Sequence, residues 1–410
     1  MFRAIATTYR EAFAGLPRPV WLISAATLVN RSGTMVLPFL ILFLTQERGF
    51  TPTQAGQILA MYGIGGVLGS YLGGWLCDVI SPRRVMEGSL LLTGIGFFFL
   101  GQLETRWALL LMMVVLSMVA EAFRPACSAA LAAETGPDER VRALALNRLA
   151  INMGMSLGPA VGGFLAARDY SWLFRVDGLT CIAASAFLWI ALRGVAESRP
   201  APLVAGAPAD RSPWRDAPFL TAMGLLFLLA CVTFQMASTY TLTLRDLYGF
   251  NELKIGLVMS INTIVIVLFE MVLIHRLGKT DPLRVMAVGS FLFCLGFGLL
   301  PFGRTITYVA FTVLIWTVGE MLTLPVMAGV VANRAGERSR GRYMALFTIA
   351  FEGAFVIAPL AGTWIYQTFG TYVLWVGCIG IGFLLLAGYW ALSGVLGRPA
   401  PAALEPALDS

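Results

Sequence analysis

Apolar runs of about twenty residues, the length that crosses a hydrocarbon layer as a helix, recur along almost the whole chain. We read twelve of them: 20–44, 54–77, 84–103, 107–133, 142–167, 172–193, 218–243, 254–277, 283–303, 306–332, 342–368 and 370–396. Of the 410 residues 58% are hydrophobic and only 13% charged, whereas soluble domains average about 25% charged. Short strands of alternating polarity would mark a transmembrane β-barrel, and the runs have neither property. The chain is expected to be an all-α integral membrane protein of twelve transmembrane helices in two six-helix halves.

The halves are set by the longest break. Residues 194–217, rich in Pro, Ala and Arg and without apolar periodicity, suit a cytoplasmic linker. The expected units are a first half at 1–193, that linker, a second half at 218–396 and a disordered cytoplasmic tail at 397–410. Two related halves place a transport path between them. Weak parallels support a duplication: GPAVGGFL in span five matches APLAGTWI in span eleven, and the ends of spans two and eight are also alike. The first residues have no apolar core followed by a cleavage site, so no removable leader is expected.

A net charge of +6 could suggest nucleic acid, but its distribution says otherwise. With the N-terminus inside, nineteen Lys and Arg fall on cytoplasmic segments and six on outer loops. That bias places both termini in the cytoplasm of a cell whose inner membrane holds the protein. The partners expected are the bilayer, protons and a small-molecule substrate, with no nucleic acid and a monomeric state. No Gly-x4-Gly-Lys-Ser/Thr segment, nucleophile triad or metal-ligand spacing occurs, so neither cofactor nor metal is expected and the chain is not read as an enzyme. The six cysteines suit small apolar filler, and the lone His275 an interfacial position.

Charges inside the spans carry the functional signal. Arg31 sits within the first run, where a guanidinium costs from about 2.5 to above 10 kcal/mol depending on the scale. Such a residue is kept where it faces a watery cavity or a carboxylate. Glu121 and Arg124 lie three apart on span four, able to compensate each other or to face a cavity. Glu270, Glu320 and Glu352 lie in spans eight, ten and eleven with no Lys or Arg within four residues. A carboxylate held away from water and cations can exchange a proton under physiological conditions, so these three are the proton-coupling candidates, Glu320 and Glu270 leading. The plainer alternative is long-range pairing with Arg31, Arg124 or Arg175. Asn30, Gln235 and Asn262, with Arg31, Glu121 and Arg124, are candidates to line the substrate cavity, and Asn152 is a further polar lining residue. Arg175 and Asp177 suit structural anchoring in span six, and Glu87 and Arg148 a gate at the cytoplasmic helix ends.

Two segments resemble a known family. Gly74-Trp75-Leu76-Cys77-Asp78, followed by Pro82-Arg83-Arg84, resembles the signature between spans two and three of the major facilitator superfamily, Gly-x-Leu-Ala-Asp-Arg-x-Gly and then basic residues. It departs at Val79, where Arg is usual, and at Ser81, where Gly is usual. Gly154-x3-Gly158-Pro159-x2-Gly162-Gly163 in span five looks like the motif of that superfamily's drug–proton antiporter branch. Physically, glycines spaced by four let a neighbouring helix approach closely, and the proline permits a bend. The resemblance implies the major facilitator fold and alternating access. It also implies that Gly74, Asp78, Arg83, Arg84 and the span-five glycines serve conformational change, with Asp78 leaning on the start of span eleven near Gly341 when the cytoplasmic side closes. The function expected is proton-coupled export of lipophilic small molecules or drugs by antiport. The alternatives are a proton-coupled importer of a peptide, sugar or organic anion, and a lipid flippase or membrane enzyme.

Overall fold

The computed structural model describes residues 13–194, 212–277, 280–334 and 340–393. The proposed tail, most of the linker, and Lys279 lie outside these residues, and of the side chains of His275 and Gly341 nothing is described. The described residues are helical throughout, without a strand. The first half holds α1 (Arg18–Ser32), α2 (Val36–Gln46), α3 (Pro52–Val79), α4 (Pro82–Leu100), α5 (Arg106–Glu121), α6 (Phe123–Ala133), α7 (Pro137–Ala166) and α8 (Ser171–Ala191). The second holds α9 (Ala217–Thr233), α10 (Thr239–Asp246), α11 (Glu252–Leu277), α12 (Pro282–Gly298), α13 (Ile306–Met321), α14 (Leu324–Arg334) and α15 (Arg340–Leu392). α15 is two helices meeting at Gly370, whose φ of 84° only glycine adopts readily.

These elements make twelve rods, because α1–α2, α5–α6, α9–α10 and α13–α14 are each one span broken near its middle. Ten stretches are long and apolar enough to cross a bilayer, the last containing both parts of α15. α4 is the remaining rod and packs between α5 and α8. Helix starts follow local chemistry. Thr51 and Gln54 form a capping box before Pro52, and Ser81, Asp281 and Thr305 accept backbone N–H groups of their first turns.

Within the first bundle α1 packs on α7 and α8, and α3 on α5; within the second α9 packs on α15, and α11 on α13. The bundles meet along two seams, α3 against α15 and α7 against α11. The turns Gly49-Phe50 and Gly249-Phe250 are equivalent, each glycine at positive φ and each phenylalanine N–H donating to the carbonyl of Leu44 or Leu244. The equivalence extends into the seams: Gly56 on α3 meets the Pro359 carbonyl of α15, and Gly256 on α11 meets the Pro159 carbonyl of α7. Each pair of equivalents is 200 residues apart.

The end carrying Arg83, Arg84, Arg215 and Arg284 is the basic end. At the opposite, far end the bundles are clasped. Arg245 Nη1 donates to Thr45 Oγ1 at 3.0 Å, Thr53 Oγ1 donates to Gln367 Oε1 at 2.7 Å, and the Tyr170 hydroxyl donates to Glu252 Oε1 at 2.9 Å. Toward the basic end Gly74 faces open space and Asp78 is exposed. The path between the bundles is therefore closed at the far end and, among the described residues, open at the basic end.

Candidate functional site

Helix breaks set the site. A transmembrane helix can be interrupted only where other groups satisfy the freed backbone. At the first break, the buried Asp177 of α8 accepts from Met35 N at 3.2 Å and Val36 N at 3.1 Å, capping α2 from a neighbouring helix. At the α9–α10 break, Gln235 Nε2 donates to the Ala358 carbonyl at 2.9 Å and Thr239 Oγ1 donates to Gln235 Oε1 at 2.7 Å. Arg31 precedes the first break, Glu121 and Arg124 flank the α5–α6 break, and Glu320 ends α13.

Two ion pairs bridge the bundles near mid-path. Arg124 Nη1 on α6 lies 3.0 Å from Glu352 Oε1 on α15, and 3.8 Å from Glu121 Oε2. Arg148 Nη2 on α7 lies 2.7 Å from Glu270 Oε1 on α11. Each bridge joins a first-half cation to a second-half carboxylate, one at each seam. The carboxylate side chains are 11% exposed in both pairs, whereas Arg124 is 58% and Arg148 51% exposed. The guanidinium groups thus stand in the open path while their partners are set into the second bundle. Asn152 Nδ2 adds a contact to Glu270 Oε2 at 3.4 Å.

Glu320 has a different environment. Asn262 Nδ2 donates to its Oε2 at 2.8 Å and to Thr317 Oγ1 at 3.1 Å, and among the described residues no cation lies within ion-pair distance of it.

These positions amend the sequence reading. Glu270 and Glu352 have no Lys or Arg within four residues along the chain, but each takes an arginine from the other bundle. For Glu352 the partner is Arg124, one of the three arginines weighed for such pairing. For Glu270 it is Arg148, assigned from sequence to a gate. A legible signal existed: Arg148, Asn152, Pro159 and Gly163 share one face of α7, and Gly256 and Glu270 share one face of α11, by helical spacing.

Asn30 and Arg31 do not face the path. With Tyr62, Thr93, Glu121 and Asp177 they line a small chamber of about 50 Å³ inside the first bundle. There Asn30 Nδ2 donates to Cys181 Sγ at 3.2 Å, the Tyr62 hydroxyl donates to Glu121 Oε1 at 3.4 Å, and Arg31 Nε has no partner. Gln235, expected in the cavity, is instead buried as a staple between the α9–α10 break and α15. Asn262 is buried beside Glu320.

The span-five motif uses two faces of α7. Gly154, Gly158 and Gly162 press against Arg31, Thr34 and Met35 in and just after α1, and Pro159 and Gly163 meet Gly256 and Glu252 of α11. In the other motif, Arg83 Nε bonds Glu87 at 3.0 Å and Arg84 is exposed. Among the described residues no three His, Cys, Asp or Glu side chains converge as metal ligands.

Comparisons with known proteins agree with this architecture. The chain is 24% identical over 361 residues to YqjV, an uncharacterized MFS-type transporter of Bacillus subtilis, covering 85% of this chain and 87% of that one. It is 25% identical over 325 residues to the multidrug resistance protein MdtH of Aeromonas hydrophila, covering 76% and 78%. In structure it superposes on a POT family transporter solved with 5-aminolevulinic acid with a TM-score of 0.80 at 14% identity, covering 94% of this chain and 98% of that one, a likeness of fold. The family model described as Major Facilitator Superfamily matches residues 22–352. With that match running through both bundles and both bridged seams, this multi-pass membrane protein belongs to the major facilitator superfamily and is a transporter rather than an enzyme.

Proposed function

We propose that the chain is a proton-coupled exporter of lipophilic small molecules, and that the two bridges Arg124–Glu352 and Arg148–Glu270 couple proton binding to the movement of the bundles. The observation that carries this reading is their placement: each spans the two bundles at a seam, with the arginine in the open path. The positive-inside bias makes the basic end cytoplasmic, so the structure corresponds to the state that admits substrate from inside. Similarity to a protein named for multidrug resistance supports export.

The cycle follows from charge. With its carboxylate ionised, each bridge draws the bundles together. Substrate entering from the cytoplasm occupies the space around the half-exposed arginines. In the outward-facing state a proton from outside binds each carboxylate, the pair is lost, and the neutral carboxyl no longer holds its arginine. On return, each proton leaves to the cytoplasm as the pair reforms. Glu320, beside Asn262 and without a cation, is a further proton carrier in the second bundle. The protein works as a monomer, both termini cytoplasmic, in the inner membrane.

The test is transport by reconstituted protein under an imposed pH gradient, read with a lipophilic cationic dye. Dye should move uphill against the proton flow. Glu270→Gln and Glu352→Gln should abolish uphill movement while leaving downhill exchange. Flux indifferent to collapse of the gradient would remove proton coupling, and dye moving with the protons would make the chain an importer.

A further inference from the structure

On the side of the first bundle away from the path, α4 and α8 leave an open groove of about 350 Å³ at the basic end, lined among others by Arg84, Gly88, Leu91, Ile182, Ser185 and Trp189. We propose that this groove binds an anionic phospholipid, with its headgroup phosphate at Arg84 and Arg193 and an acyl chain between α4 and α8.

The mouth is cationic. Arg84 lies in the first turn of α4, a turn with two arginines and no acid. That turn is also the positive end of the helix dipole, so an anion there is favoured twice. Arg83 is engaged by Glu87 at 3.0 Å, which also neutralises the one carboxylate lining the groove. Arg84 is exposed and has no ion-pair partner among the described residues. The exposed Arg193, just past α8, holds its guanidinium 4.6 Å from the centre of the Trp189 ring. Two exposed arginines, one of them stacked on the ring, thus stand beside a half-exposed tryptophan, the residue type favoured at headgroup depth.

The walls are apolar. Leu91 lies seven residues along α4 from Arg84, about 10 Å deeper at 1.5 Å per residue. Ile182 lies opposite on α8, and Leu92 and Ile190, next in sequence to the lining residues Leu91 and Trp189, are 55% and 64% exposed, apolar surface suited to hydrocarbon. A soluble anion would leave these walls bare, and a zwitterionic lipid would bring its ammonium against the arginines. An anionic lipid satisfies both ends.

The test uses purified, delipidated full-length protein titrated with phosphatidylglycerol, phosphatidylcholine or inorganic phosphate, reading apparent melting temperature and, by native mass spectrometry, retained lipid. Phosphatidylglycerol should stabilise the protein and remain bound, and the other two should not. In Arg84→Gln/Arg193→Gln half-saturation should need about thirtyfold more phosphatidylglycerol, at roughly 1 kcal/mol per arginine. Ala186→Trp fills the groove from an exposed position with both arginines intact, and should displace the lipid even if the double variant fails to fold. Equal stabilisation by phosphatidylcholine, an equal effect of phosphate alone, or unchanged phosphatidylglycerol affinity in Ala186→Trp would each overturn the assignment.

Discussion

Asp216 carries several interactions at one helix end. It caps α9 by accepting from Phe219 N, and its oxygens take Arg334 Nε at 2.9 Å, Arg334 Nη2 at 3.1 Å and the Tyr343 hydroxyl at 3.0 Å. Burial works against its charge, but the hydrogen bonds from Arg334 and Tyr343 and the Arg334 charge outweigh it and hold the carboxyl below its ordinary value. A carboxyl lowered by folding contributes stability above its unfolded pKa, about 3.9, and that contribution is lost as pH falls through the folded value. The wild-type melting temperature should therefore drop on acidification below about pH 4. Asp216→Asn should melt lower at neutral pH, since it removes the negative charge that Arg334 and the Tyr343 hydroxyl engage, and should lack that part of the acid slope. Parallel pH profiles would show that Asp216 titrates alike in the folded and unfolded protein. The residue scale is also where the sequence was least legible. Glu352 and Arg124 stand 228 positions apart, and nothing local to either betrays the other. What could be read was that an unaccompanied charge in an apolar run must find something, and Glu270 and Glu352 both did.

At the scale of elements, the spans were legible because apolar length survives a break in the helix. The breaks themselves were less so. Gly33 marks the first, and Pro125 and Pro325 lie just beyond the second and fourth, but Phe234–Ala237 contains neither Gly nor Pro and still adopts a 3-10 turn, held by Gln235. Such a break depends on partners from other helices, so sequence alone under-determines it. Asp177 shows the same dependence: its carboxylate caps α2 across about 140 positions of chain. Asp177→Ala should unpair Met35 N and Val36 N and lower stability by roughly 0.5–2 kcal/mol, the range for a lost N-cap. Asp177→Asn keeps one acceptor and should recover most of the loss. Apparent melting temperatures of the two variants decide the point, and an Asn variant as unstable as Ala would shift the role to the charge beside Arg31.

For the whole molecule, the duplication makes the two seams chemically parallel and therefore separately testable. The parallel between GPAVGGFL and APLAGTWI was visible as text, but the repeat of Gly56 and Gly256 acquires meaning only when each is seen against a proline carbonyl of the opposite bundle. At either glycine an added Cβ would collide with backbone, Pro359 O at Gly56 and Pro159 O at Gly256, and backbone cannot yield as a flexible side chain can. Both contacts lie on the far-end side of the ion pairs, and a rocking motion that opened that end would part them. Packed interfaces switch between discrete arrangements rather than deform smoothly, so a strain of about 1–3 kcal/mol from overpacking should shift the population by about 5- to 150-fold toward the state open at the far end. Gly56→Val and Gly256→Val should each do this, and more nearly alike than two unrelated core substitutions would. Distances between spin labels at the far end, one per bundle, should lengthen in both variants while distances across the basic end shorten. If only one variant moved, the seams would not act as equivalent halves of one rocking motion. If the far-end distances kept their wild-type distribution in both, the glycines would be no more than filler, and the closure of the path would rest on the clasp of Thr45, Thr53 and Tyr170 with the second bundle.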